Sequence, residues 1–271
     1  MSMKIWHQSF TDLDSLPGYA SMLAELGRRV CSTGTVVDLH GVMPGTYPDG
    51  VAPVDLGRYR WVFEMIQCQV VENCLRAERE GYDAVAISSF ADPGLELVRS
   101  LVDIPVVGAL ETALLVSCTI GRRPGLLTLD AGMVRLIDRL VVDYGFSERV
   151  VGIDHLQPPL TELDLDKGFG GSDDLVERFR ANARRLIAKG ADVLIPAEGA
   201  LNALMVRNAL EEVDGVPVLD SYGAVLAMAE MLVHLKNRGG LRVSRSGAYA
   251  KPPASTVEHI RATAVRALQG G

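Results

Sequence analysis

One pattern constrains this chain more than any other, because it occurs twice. Gly81-Tyr82-Asp83-Ala84-Val85-Ala86-Ile87-Ser88-Ser89 returns in form as Gly190-Ala191-Asp192-Val193-Leu194-Ile195-Pro196-Ala197-Glu198. Each copy follows a helical run and joins Gly, Asp, a short apolar strand and a small or polar strand end. Each is followed by a helix and a Pro-led strand, Pro105-Val106-Val107-Gly108 in one case and Pro217-Val218-Leu219-Asp220 in the other. Two similar α/β units of this kind pack face to face. Ser89 and Glu198 are then expected to meet across one cleft.

The remaining chain supports that division. Lys4–Gln8 and Thr35–His40 read as strands around a helix from Tyr19 to Val30. A Gly/Pro-rich loop (41–53) leads to a long helix from Arg58 to Arg79, and Asp92-Pro93-Gly94 carries start signals for the next helix. In the second half Gly125–Thr128 and Arg149–Asp154 read as strands, 156–172 as a loop, and Asp173–Lys189 as a helix. A long helix from Tyr222 to Asn237 is expected to cross back onto the first half, and Val257–Leu268 to form a last one. Short apolar strands alternating with amphipathic helices belong in parallel sheets covered on both faces. The expected fold is α/β, with two pseudo-symmetric flavodoxin-like halves. Residues 1–117 form the first half, completed by 221–271, and 118–220 form the second.

Bulk properties narrow the function. The 271 residues are 48% hydrophobic, enough for a sizeable core, and the formal charge is −7. No clustered Lys/Arg run exists to neutralise phosphates, so nucleic acid is not an expected partner. The basic residues near the end (Arg238, Arg242, Arg245, Lys251) read as a mobile or docking tail. No apolar run is long enough to span a bilayer, so no membrane partner and a cytoplasmic location are expected. Cys31, Cys68, Cys74 and Cys118 have no metal or redox spacing and are expected to be reduced and mostly buried. No His-x-x-x-His or Cys-x-x-Cys pair suggests a metal, and no glycine-rich phosphate loop follows a strand. No cofactor is expected.

In parallel α/β sheets ligands bind beyond the carboxyl ends of the strands. Those ends here are Gln8-Ser9, His40-Gly41, Ser88-Ser89-Phe90, Gly108 to Glu111, Thr128-Leu129-Asp130, Asp154-His155, Ala197-Glu198-Gly199 and Asp220-Ser221. They are small, polar and acidic, which suits a compact polar small molecule. Glu198 can act as a base, bind an N–H group, or cap the following helix. Ser88 and Ser89 can hold an oxyanion or satisfy a turn. His40 is the best-placed histidine for acid–base work or ligand anchoring, although a solvent-facing or packing role explains it better. His7 and Gln8 alternate along one strand, so only one of them faces a given side of the sheet.

At these residues the chain resembles the aspartate/glutamate racemase superfamily, most of all its hydantoin racemase branch. The resemblance runs through about residue 236. It is most specific over Ala86-Ile87-Ser88-Ser89-Phe90-Ala91-Asp92-Pro93-Gly94-Leu95, then Asp103–Gly108 with Glu111, Leu126–Thr128, and Ala191–Gly199. It implies a cofactor-independent enzyme that moves a proton at a carbon next to a carbonyl, with one catalytic cysteine in each half. Those cysteines fall on Ser89 and Glu198 here. By the same resemblance Gln8 stands near a substrate-gripping turn, Glu111 in a Gly-x-x-Glu stretch, and Thr128 at a substrate-contacting hydroxyl position. Ser88, Phe90 and Gly199 join them as expected substrate contacts. The resemblance also implies a homo-oligomer, dimer or tetramer.

Replacing both cysteines changes the chemistry. Thiols titrate within reach of neutral pH and pass protons both ways, whereas a serine hydroxyl is far too weak an acid to do so unaided. A lone Glu198 makes the site asymmetric. The leading reading is proton transfer on a small amide, hydantoin-like or carboxylate substrate. A lyase or hydrolase using Glu198 as a one-sided base is the first alternative, and a non-catalytic ligand-binding protein the second.

Overall fold

The computed structural model describes residues 2–171 and 173–268. Nine strands and eleven α-helices alternate along them. The first half contains β1 (Met3–Gln8), α1 (Pro17–Val30), β2 (Thr35–His40), α2 (Pro53–Gly57), α3 (Arg60–Arg79), β3 (Ala84–Ile87), α4 (Leu95–Leu101), β4 (Val106–Gly108) and α5 (Ala109–Ile120). The second contains β5 (Pro124–Thr128), α6 (Ala131–Asp143), β6 (Gly152–His155), α7 (Glu162–Gly168), α8 (Asp173–Ala188), β7 (Val193–Pro196), α9 (Gly199–Arg207), β8 (Glu212–Val213) and β9 (Val216–Pro217). Helices α10 (Ser221–Gly239) and α11 (Ala254–Leu268) end the chain.

The parallel sheets have strand orders β2-β1-β3-β4 and β6-β5-β7. The second half's Pro-led strand is much reduced. Val216–Pro217 pairs antiparallel with β8, and only Val218 bridges in parallel to Leu194. Strands β3 and β7 are buried along their whole length, as continuous apolar strands between helical layers must be.

The repeated glycine and aspartate have the same structural cause in both copies. Gly81 (φ 80°) and Gly190 (φ 93°) end helices α3 and α8 in the left-handed conformation that favours glycine. The carboxylate two residues on ties down the start of the central strand. Asp83 accepts from Lys4 N at 2.8 Å, and Asp192 from Arg123 N at 2.6 Å and Arg122 N at 3.0 Å.

One continuous core joins the halves. It runs from Ile5, Leu23 and Leu26 through Leu110 and Leu114 to Leu126, Ile195 and Leu226, all fully buried. Helix α10 packs on α5, α1 and the first sheet. A second cluster around Trp6, Val70, Val85 and Ile87 fills the space under α3 and α4. Polar links also cross between the halves: Tyr144 Oη donates to Asp92 at 2.9 Å, and Asp166 accepts from Tyr19 N at 2.7 Å.

Several local expectations change. The expected long helix is present as α3, and a separate short helix, α2, precedes it at the end of the expected loop. Asp92 does not cap the helix that follows it; α4 starts at Leu95 after a left-handed Gly94. The Asp92 carboxylate reaches instead to the start of α5, accepting from Leu110 N at 3.1 Å and Glu111 N at 3.0 Å. The expected loop 156–172 contains α7. Cys68 is exposed, while Cys74 is buried. The basic tail is docked in part: Arg245 and Lys251 both bind Asp103, and Arg245 also caps the carbonyls of Arg99 and Val102 at the end of α4. Among the described residues no helix is long and apolar enough to cross a membrane.

Candidate functional site

The carboxyl ends of β3 and β7 open into one cavity of about 40 Å³, room for about three water molecules. Ser88, Ser89 and Phe90 line it from the first half, and Glu198 with Gly199 from the second. Ser9 and Thr11 after β1, Tyr19 of α1, Pro53 and Val54 of α2, Phe63 of α3, Met133 of α6 and Glu162 of α7 close it. The cleft predicted from the repeat therefore exists. It is walled by aromatic and aliphatic side chains, with carboxyl and hydroxyl groups inside. None of its lining residues is Lys or Arg.

Glu198 caps α9, which starts directly after the strand. Its Oε2 accepts from Leu201 N at 2.7 Å, and the amides of Gly199 and Ala200 also point at the carboxylate. Burial raises its pKa, and the three amides oppose that rise without cancelling it. The capping and basic roles weighed from sequence are thus compatible, since one oxygen caps while the group lines the cavity.

Glu162 is the residue that sequence reasoning missed. It is the first residue of α7 and only 7% exposed, and its Oε2 accepts from Val54 N at 3.1 Å. Burial, followed by the charge of Glu198, pushes its carboxyl up to about 8. A local signal existed in Thr161-Glu162-Leu163-Asp164. Thr161 and Asp164 form a capping box, with Thr161 Oγ1 and N donating to Asp164 at 2.8 and 3.1 Å and Asp164 N donating back to Thr161 at 3.2 Å. That box marks a helix start where only a loop was expected.

Facing these carboxyls is a hydroxyl cluster. Tyr19 Oη lies within hydrogen-bonding reach of Ser9 and Ser88, and burial together with Glu198 raises its pKa far above the ordinary value. A Cβ on Gly199 would stand 2.3 Å from that hydroxyl, so only glycine admits it. Ser89 Oγ is close to Ala91 N at 3.4 Å and stays partly accessible from the cavity.

Four expected site residues lie elsewhere. His40 stacks flat on Trp6 (centroids 3.3 Å apart, planes at 4°), and Arg76 lies over the Trp6 ring at 4.9 Å. Its pKa is lowered, chiefly by burial. It lines a separate open depression of about 990 Å³ between β2, the 41–46 loop and α3, which is larger but contains none of the other expected site residues. Gln8 is fully buried on the Trp6 side of the sheet, accepting from Trp6 Nε1 at 3.0 Å and donating to the Ser9 carbonyl at 2.8 Å. His7 points to the opposite face against Tyr222, where burial holds it neutral, with a pKa of about 3. Glu111 is gripped by Arg99 at 2.5 and 2.9 Å, outside the cavity. Thr128 is fully buried at the end of β5 and does not line the cavity. Among the described residues no group of three or more His, Cys, Asp or Glu could hold a metal ion.

Comparison with known proteins agrees with this architecture. Residues 34–229 match the model of the Asp/Glu/hydantoin racemase family. A hydantoin racemase of Rhizobium meliloti is 31% identical over 177 residues, covering 65% of this chain and 69% of the relative. One from Paenarthrobacter aurescens is 26% identical over 238 residues, covering 85% and 90%. The crystallised allantoin racemase from Klebsiella pneumoniae superposes with a TM-score of 0.73 at 23% identity, covering 93% of this chain and 94% of that one, a likeness of fold.

Proposed function

Because the chain belongs to the Asp/Glu/hydantoin racemase family, we propose that it is a racemase-type isomerase acting on a small, uncharged cyclic amide of hydantoin type. The observation that carries this reading is the cavity itself. A half-buried carboxyl, Glu198, faces a strand-end serine, and no cationic side chain lines the space between them. A free carboxylate substrate would enter an acidic, poorly solvated site without a counter-ion, which is costly. A neutral ring with N–H donors instead meets acceptors, and its flat faces meet Phe10, Phe63 and Phe90.

In this reading Glu198 takes the proton from the carbon beside a carbonyl. The hydroxyls of Ser88, Ser89 and Tyr19 donate to the oxygen on which charge develops. In this structure the cavity is smaller than such a ring. The test is proton–deuterium exchange in D₂O over hydantoins, cyclic amides, amino acids and 2-substituted malonates, with wild type beside Glu198→Gln. Exchange confined to the uncharged rings, and lost in the variant on the enantiomer that Glu198 deprotonates, is the expected result. Exchange on amino acids or malonates overturns the substrate class. Ring opening without exchange moves the assignment to a hydrolase.

A further inference from the structure

A single carboxylate leaves this proton transfer one-sided. Glu198 can take a proton, but the serine hydroxyls are too weakly acidic to return one to the other face. The same cavity contains a second carboxyl group, Glu162, close enough to Glu198 for their charges to repel. The groups facing Glu162 are Glu198 from α9, Asp55 from α2, Tyr19 from α1 and Tyr47 from the loop before α2. All are acids. Two carboxylates in an enclosed, cation-free space do not both stay ionised.

The hydrogen bonds decide which one keeps the proton. Three amides at the start of α9 favour the anion of Glu198, whereas from outside its own helix Glu162 accepts one amide, that of Val54. We propose that Glu162 and Glu198 form a carboxyl pair holding one proton between them, and that Glu162 is the second acid–base group of the reaction.

This inference rests on the proton-transfer reading above and supplies the partner that reading lacks. In the resting pair Glu198 is the carboxylate and Glu162 the acid. As the substrate C–H bond breaks, an O–H bond forms on Glu198 and the electron pair moves onto the neighbouring carbonyl as an enolate. Glu162 then gives its proton to the enolate carbon, and the carbonyl re-forms. One O–H bond has formed and one has broken, so the charge of the pair is unchanged and its proton now sits on Glu198. The reverse reaction runs from that state with the roles exchanged. A carboxyl pair in this way does what two thiols do, without a thiol in either position.

The experiment is infrared spectroscopy of the protonated-carboxyl C=O stretch from pH 5 to 9 on wild type, Glu162→Gln and Glu198→Gln, with stereochemical inversion of the hydantoin substrate measured in parallel. Wild type is expected to retain one protonated carboxyl at pH 7 that titrates away near pH 8. Asp92, which burial raises to about 6, is separated from it by pH. Glu162→Gln loses the pH 7 band, and in Glu198→Gln the band titrates at lower pH because the repelling charge is gone. Inversion falls at least about 100-fold in Glu162→Gln, while exchange on one enantiomer survives. The glutamine keeps an acceptor for Val54 N, so this variant is expected to fold. Absence of the band in wild type at pH 7, or wild-type inversion by Glu162→Gln, overturns the pair. If the band is present but wild type exchanges no substrate, the reaction fails, and with it the catalytic role of Glu162, while the shared proton stands. If the band is absent but exchange proceeds, Glu198 acts alone.

Discussion

At the amino ends of their central strands the two halves use the same device, a carboxylate from the repeat binding the first amides of the strand. At the carboxyl ends they differ. After β3 the chain runs through Ser88-Ser89-Phe90 and four further residues before α4, so its hydroxyls sit on a loop. After β7 the helix starts at once, and Glu198 becomes its cap. The difference shows that the repeat conserves framework at one end of the sheet and leaves chemistry free to diverge at the other. The first half contributes hydroxyls, and the second contributes carboxyls from Glu198 and from Glu162 on the helix after β6.

The sharpest way to break this comparison is to remove the acid–base group from one end and the hydroxyl from the other. Glu198→Gln is expected to lower exchange turnover of the enantiomer it deprotonates by about 10² to 10⁴-fold, the usual contribution of a general base, and Ser89→Ala by about tenfold or less. Equal losses in steady-state kinetics would mean that the halves share the chemistry evenly.

Stability against pH tests the second half's carboxyls. Glu162 is raised from an unfolded value of about 4.3 to a folded value of about 8, so the native state binds more protons than the unfolded state between them. Stability therefore falls as pH rises through that window, by on the order of 5 kcal/mol at most. Thermal unfolding of wild type should show the fall, and Glu162→Gln should flatten it.

Packing where the halves meet gives a smaller effect. Gly199→Ala forces a methyl group against Tyr19 Oη and is expected to cost about 1–3 kcal/mol in chemical denaturation. At the matched amino ends, Asp192→Ala should cost more than Asp83→Ala, since Asp192 holds two amides and Asp83 one, with each change about 1–2 kcal/mol. Thr128→Val is the smallest. Its buried hydroxyl makes no hydrogen bond, so removing it is expected to leave stability within about 1 kcal/mol of wild type or to raise it, with exchange unchanged.

Much of the site was legible because it belongs to strands. Ser88, Ser89, Phe90, Glu198 and Gly199 follow buried apolar runs, and parallel sheets place their ligand sites at those ends. Gln8 and Thr128 follow the same rule in sequence but face into packed layers, and His40 faces a separate depression beside α3. Direction at a strand's last residue is set by which helices cover each face, and no local pattern reports that. Glu111 was drawn away by Arg99, a partner from a different helix.

The sequence by itself determined the doubled α/β framework. Its glycines, aspartates and apolar strands act over a few residues, where local backbone sterics and hydrophobic periodicity decide. Tertiary structure alone decided that Glu162 faces Glu198. Its position within a capping box shows a helix start and nothing about what lies opposite. Burial and the repulsion of a carboxylate distant in sequence shift its protonation. The repulsion arises only when α7 packs beside α9, and the burial only when the first half closes over them.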